Sequence, residues 1–301
     1  MHALPFVLAL ASAAILAPAL LRALNDAGHT RPNYRERPLP YAFGVLVLVA
    51  ALLALIPLML VQRLASEAVF YPVALPIAVY ALGVLALGLL DDTLARPDPR
   101  TALVRLDPDE AEVTLTRGDT REDAQRGWRG HGAALLRGEL TTGALKAVGS
   151  LGLALLAMSY LNVSDGRWLL AASVLVLATN VFNLLDLRPG RAIKAFVLLG
   201  AGLTIGSLDL RPLWALGLFA APALVAGVYD VRERAMLGDT GANLLGALAG
   251  LWLVLTLSGT GQLVALALLA AITLYGELRS ISTLVEKTPG LRALDSWGRP
   301  S

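Results

Sequence analysis

Asp91 and Asp92 follow Gly88-Leu89-Leu90 at the end of a long apolar run, so two adjacent carboxylates meet the polar boundary together. Neighbouring helical positions point about 100° apart, which lets one carboxylate face a metal or phosphate while the other faces a neighbouring helix. A second group, Asn180-Val-Phe-Asn183-Leu-Leu-Asp186, repeats polar residues every third position. That spacing keeps all three on one side of a helix over about 9 Å of rise. Arg188, Arg191 and Lys194 follow at once, which suits an anionic substrate. The third group, Leu237-Gly238-Asp239-Thr240-Gly241, opens another apolar run. A helix amino terminus there offers free N–H groups and a positive dipole end to phosphate, and the glycines permit close backbone approach. Asp239 is the candidate Mg²⁺ ligand, since that ion typically takes one or two carboxylates plus phosphate oxygens. Each group also has a plainer reading. Asp91 and Asp92 can simply end a span at the headgroups, Asn180 and Asn183 can join helices through their amides, and Asp239 or Thr240 can cap a helix. Together they describe an acidic, metal-compatible pocket ringed by arginines, fitted to transfer chemistry on a phosphorylated, partly lipidic substrate.

The elements that must position these groups are membrane spans. The 301 residues are 56% apolar and only 16% charged, with mean hydropathy +0.65. Soluble domains carry about 25% charged residues. Nine runs are apolar enough to cross a bilayer: residues 3–24, 39–60, 68–90, 143–161, 168–186, 192–207, 212–229, 240–257 and 262–279. The expectation is an all-α polytopic bundle forming a single multi-pass domain over 1–301. Of the 25 basic residues, only Arg63, Arg167 and Arg211 fall in connections after even-numbered spans. The positive-inside rule therefore places the amino terminus outside, and puts the 91–142 loop and the 280–301 tail in the cytoplasm. All three polar groups then lie on the cytoplasmic face of the cell membrane. Within the long loop, the β-prone runs 102–106 and 111–116 predict a small hairpin, and 128–140 reads as an interfacial segment. There is no cysteine, hence no disulfide framework and no thiolate metal site. The basic balance is almost all arginine and does not call for nucleic acid.

The order of motifs resembles the polyprenyl-phosphate N-acetylhexosamine-1-phosphate transferases, the phospho-N-acetylmuramoyl-pentapeptide transferase type among them. It covers about residues 22–280. It rests on Asp91-Asp92 closing the third span, Asn180-x-x-Asn183-x-x-Asp186 closing the fifth and Leu237-Gly238-Asp239-Thr240-Gly241 opening the eighth, together with Arg31-Pro-Asn-Tyr-Arg-Glu-Arg-Pro-Leu-Pro40 in the first cytoplasmic loop. The resemblance implies that Asp91 and Asp92 lie beside the attacking lipid phosphate, with Asp91 orienting or deprotonating it. It implies that Asp239, with Asp92, holds Mg²⁺, or Mn²⁺ in its place. Asn180, Asn183 and Asp186 would line the nucleotide-sugar pocket, with Asp186 in the catalytic set, and Lys146 would neutralise a phosphate. The implied partners are polyprenyl phosphate, a UDP-linked sugar and the surrounding lipids, and a homodimer is compatible with the family.

The chain departs from the family pattern in three places. Pro189 stands where a second carboxylate is expected after Asp186, Met236 stands where an aromatic residue often precedes the Leu-Gly-Asp motif, and residues 277–301 hold no histidine. Arg188 and Arg191 are then the candidates to grip a diphosphate bidentately. His131, in the long loop, is a candidate base. The same departures leave room for a non-catalytic relative that binds a lipid carrier or partners a cell-wall enzyme. A secondary transporter is a further alternative, although its polar groups would sit at mid-membrane between repeats.

Overall fold

The computed structural model describes residues 1–94, 142–161 and 163–300. The expected hairpin at 102–116, the 128–140 segment and His131 lie outside these. The described chain is an all-α bundle whose first nine helices fall on the nine expected spans: α1 Leu4–Asp26, α2 Val45–Leu64, α3 Ala74–Leu94, α4 Thr142–Ser159, α5 Asp165–Leu185, α6 Arg191–Ser207, α7 Arg211–Val231, α8 Gly238–Thr256 and α9 Gly259–Leu278. Two short helices follow, α10 Ile281–Lys287 and α11 Pro289–Ser296. Among the described residues, seven helices are long and apolar enough to cross a membrane. The remaining two are α4, which carries Lys146 in its first turns, and α6, which opens with Arg191 and Lys194. Large apolar side chains such as Ile56 and Leu60 on α2 and Leu268 on α9 are exposed on the outside of the bundle, as a lipid-facing surface requires.

Helix α2 starts six residues later than its hydropathy predicts. Residues 38–44 are apolar, but Pro38 and Pro40 cannot donate backbone hydrogen bonds and Ala42 has φ of 63°. Instead Pro38–Pro40 (β2) pairs antiparallel with Thr30–Pro32 (β1), a two-stranded hairpin that the sequence pattern did not reveal. Just beyond it, the Met236 N–H donates to Pro40 O at 2.8 Å, and the Phe43 and Gly44 N–H groups donate to Met236 and Leu237 carbonyls at 3.0 Å. The hairpin is thereby fastened to the start of α8.

Helix α8 is the axis of the bundle. Its most apolar stretch is 83% buried, against 22% for α1 and for α9. It packs against α3, α5, α6 and α7. Small residues permit this: a Cβ on Gly246 would lie 2.5 Å from Thr179 Cα, and one on Gly250 would lie 3.0 Å from Leu175 Cα, both on α5. Tyr80 on α3 and Thr179 on α5 share a buried hydroxyl hydrogen bond of 3.0 Å. These contacts set the depth at which α3 and α5 end relative to the start of α8, and those three ends carry the three polar groups.

Candidate active site

Asp92 is built into the start of α8. Its Oδ1 accepts from Tyr41 Oη at 2.8 Å and from the Asp239 N–H at 3.0 Å, and its Oδ2 accepts from the Thr240 N–H at 2.9 Å and Thr240 Oγ1 at 2.5 Å. It thus caps α8 from another helix, satisfying amide groups that a helix start leaves without partners. Two glycines make this approach possible. Gly88, one turn before Asp92, would place a Cβ 2.5 Å from the Asp239 carbonyl oxygen, and Gly238 adopts φ of 71° with its Cα facing Asp92 Oδ2. Tyr41 is held from behind by Arg31, whose guanidinium lies 3.8 Å from the ring centroid and donates to the Asp92 carbonyl at 3.0 Å. Burial, then the charges of Asp92 and Asp239, push the Tyr41 hydroxyl well above its ordinary pKa, so it remains a donor.

Asp91, by contrast, faces Lys146. The ammonium stands 2.8 Å from Asp91 Oδ2 and 2.5 Å from Asp239 Oδ2, bridging carboxylates from α3 and α8 with a cation from α4. All three side chains are partly open, at 17% to 29% exposure. Among the described residues no three acidic or histidine side chains form a ready-made ion cage. What is present is a pair of hard oxygen donors already sharing one positive charge.

Asp186 lies just past the last residue of α5, half-buried. Burial first, and then the charges of Asp230, Asp239 and Asp92, raise its carboxyl well above the usual carboxylate range, which marks the four as one electrostatic group. The polar stripe before it is divided in use. Asn180 Nδ2 donates to Thr273 Oγ1 of α9 at 3.2 Å, the interhelical role open to such an amide. Asn183 is half-buried next to Asp186.

The basic residues after Asp186 are held by the carboxyl-terminal segment. Arg191 is buried, donating to both oxygens of Asp295 at 2.9 and 3.2 Å and to Ser282 Oγ at 3.1 Å. Lys194 Nζ donates to the Leu294 and Asp295 carbonyls, at the C-terminal end of α11. Arg188 pairs with Glu286 but stays 27% exposed. Pro189 lends its carbonyl to Arg299 at 2.8 Å, and Gly190, at φ of 79°, turns its N–H to Asp230 Oδ2 at 2.6 Å. The segment in which the family pattern departs is therefore a docking strip for the tail.

Sequence reasoning missed Asp230, Glu233, Tyr34 and Asp295. Asp230 had a signal, since it ends an apolar run as Asp92 does, one residue past the expected span. Glu233 is buried, accepting from Tyr34 Oη at 3.1 Å and Asn33 Nδ2 at 3.4 Å. No local pattern announces partners so far apart in the chain.

The arrangement offers two carboxylates around one cation, a helix start fixed beside them and the Arg31 guanidinium on the Asp92 carbonyl, parts that phosphoryl transfer uses. Scanned against protein-family models and searched against curated proteins, the chain returns no match.

Proposed function

We propose that this protein is a membrane phosphoglycosyl transferase of the polyprenyl-phosphate type. In this reading it moves a sugar-1-phosphate, with an N-acetylhexosamine as the sugar, from a UDP-sugar to polyprenyl phosphate in cell-wall or glycoconjugate assembly. The observation that carries it is the Lys146 ammonium held between Asp91 and Asp239 at the start of α8. That donor set fits Mg²⁺, or Mn²⁺, which pairs one or two carboxylates with phosphate oxygens. Asp239 would hold the ion with Asp91 rather than with the Asp92 expected from the sequence, whose two oxygens already accept four hydrogen bonds. Asp92, with its four hydrogen bonds, positions α8. When bound, the metal spreads the charge that develops on the transferred phosphoryl group.

The chain's own residues do the rest. Asp91 orients the lipid phosphate, one oxygen of which attacks the phosphorus that bears the sugar. The new P–O bond forms as the bond to the uridine monophosphate oxygen breaks, and UMP leaves. Lys146 balances the negative charge of the entering phosphate, and Asn183 and Asp186 face the nucleotide sugar. Little covalent chemistry is asked of the protein beyond in-line positioning. The active face is cytoplasmic, where a soluble nucleotide sugar is at hand.

Purified protein given polyprenyl phosphate, Mg²⁺ and a panel of UDP-sugars is expected to release UMP, and Asp239→Asn to abolish that release. If no sugar nucleotide supports turnover with Mg²⁺ or Mn²⁺, the transfer reading fails. Lipid-phosphate binding without turnover would instead favour the non-catalytic relative.

A further inference from the structure

Tyr34 lies in the β1–β2 connection with 41% of its surface exposed, and three guanidinium groups converge on its ring. Arg35 and Arg188 stand 5.3 Å from the ring centroid and Arg299 5.8 Å, so three positive charges from three distant stretches fall within 5.8 Å of one point. The π face attracts such cations, but three at one ring also repel one another. Among the described residues their counterions are few. Glu233 lies 3.8 Å from Arg35 Nε, Glu286 pairs with Arg188, and Asp295 binds Arg299 but is shared with Arg191. Among the described residues, four guanidiniums therefore rest on three carboxylates.

The members differ in how firmly they are held. The Arg299 side chain is only 7% exposed and is bound to Asp295 and the Pro189 carbonyl. Arg35 bonds Tyr34 Oη at 2.8 Å and the Pro300 carbonyl at 3.2 Å, yet remains 31% exposed, and Arg188 remains 27% exposed. Of the three carboxylates, Glu233 and Asp295 are buried, whereas the Glu286 side chain is 49% exposed. Glu286 is thus the displaceable counterion. Two guanidinium forks open to water beside the same ring match two linked phosphates, because a fork binds phosphate oxygens bidentately. The cluster also borders the acidic centre: Arg188 is two residues past Asp186, and Arg31 of the same hairpin holds Asp92.

We propose that Arg35 and Arg188, braced by Tyr34 and Arg299, form a binding site for the diphosphate of a soluble ester such as a nucleoside diphosphate, with Glu286 occupying Arg188 until the ligand displaces it. The inference deepens the reading above by locating the donor's diphosphate, and it rests on that reading only for the identity of the nucleotide.

The test is titration calorimetry of the full chain in nanodiscs of phosphatidylcholine, with inorganic pyrophosphate and UDP as probes. Both are expected to bind at one site. Arg35→Ala and Arg188→Ala should each weaken binding about tenfold, as loss of a charge-assisted contact does. Glu286→Gln should strengthen it several-fold, a gain that damage to the fold does not produce. Pyrophosphate affinity indifferent to both arginines, or weakened in Glu286→Gln, would overturn the proposal. Pyrophosphate binding abolished by including phosphatidylglycerol in the disc would also overturn it, by giving the site to a lipid headgroup. Intact pyrophosphate binding in a protein that never releases UMP would remove the transfer reaction and leave this site standing.

Discussion

Two neighbouring aspartates face different partners, and in the transfer reading they divide structural and chemical work between them. Asp92 accepts four hydrogen bonds, two of them from backbone amides of α8, while Asp91 meets the Lys146 ammonium at the open side of the pocket. An asparagine at 92 keeps one acceptor oxygen and turns its NH₂ toward a backbone N–H of α8, which can only donate. Asp92→Asn is therefore expected to cost about 1–3 kcal/mol, the penalty of unsatisfied buried donors, seen as a lowered thermal midpoint in detergent. Asp91→Asn should keep the midpoint near wild type yet lose UMP release. Equal destabilisation of the two variants would refute this division. That Asp91, Asp92 and Asp239 form a group was legible, because a carboxylate ending an apolar run is rare in so lipophilic a chain. Which of the adjacent pair turns inward was not, since it depends on a helix start 147 residues away. The same holds for Tyr34 and Glu233, separated by 199 residues.

Hydropathy located the first nine helices because each carries a continuous apolar stretch, and seven of them, among the described residues, are long and apolar enough to cross a membrane. It misplaced the start of α2, where proline and a left-handed Ala42 turn an apolar segment into a hairpin. The carboxyl-terminal elements were less legible still, because they dock by ion pairing. Residues 281–300 are fastened to the 188–194 strip through Arg188–Glu286, Arg191–Asp295 and the Lys194 contacts with the end of α11. Burial alone would raise the Asp295 carboxyl, but the Arg191 and Arg299 guanidiniums outweigh it and hold Asp295 below the ordinary value. A depressed folded pKa means that this contribution to docking is complete above the unfolded value of about 3.9 and is lost as pH falls through the folded one. Protection of the α11 amides from hydrogen exchange, taken relative to the intrinsic rate at each pH, should hold from neutral pH down to about 4 and fall below it. Asp295→Asn should show fast exchange throughout, since removing one partner of a buried pair costs about 3–5 kcal/mol. Protection that is high and unchanged with pH in both proteins would mean that apolar contacts, not this pair, hold the tail.

At the scale of the whole molecule, long-range contacts gather one set of helix ends. The starts of α2, α6 and α8 and the ends of α3 and α7 are joined by Gly44–Leu237, Asp92–Asp239 and Gly190–Asp230, and the tail closes over the same end through Arg191–Asp295. The α2–α3 and α6–α7 connections join the other ends of those four helices, and Arg63 and Arg211 lie there. The charge asymmetry of the sequence predicts that the gathered end is cytoplasmic, since basic residues resist translocation. Having no cysteine of its own, the chain permits a test without background. Single variants Ser66→Cys and Leu208→Cys sit in exposed connections at the opposite end, while Glu36→Cys and Lys287→Cys sit in exposed positions on the hairpin and the tail. In intact cells a membrane-impermeant maleimide should label the first pair, and the second pair only after permeabilisation. The reverse pattern would place the acidic centre outside, where no cytoplasmic nucleotide sugar could reach it. Labelling of Ser66→Cys and Leu208→Cys on different sides would break the alternation of the helices between them, because an even number of crossings separates those two connections.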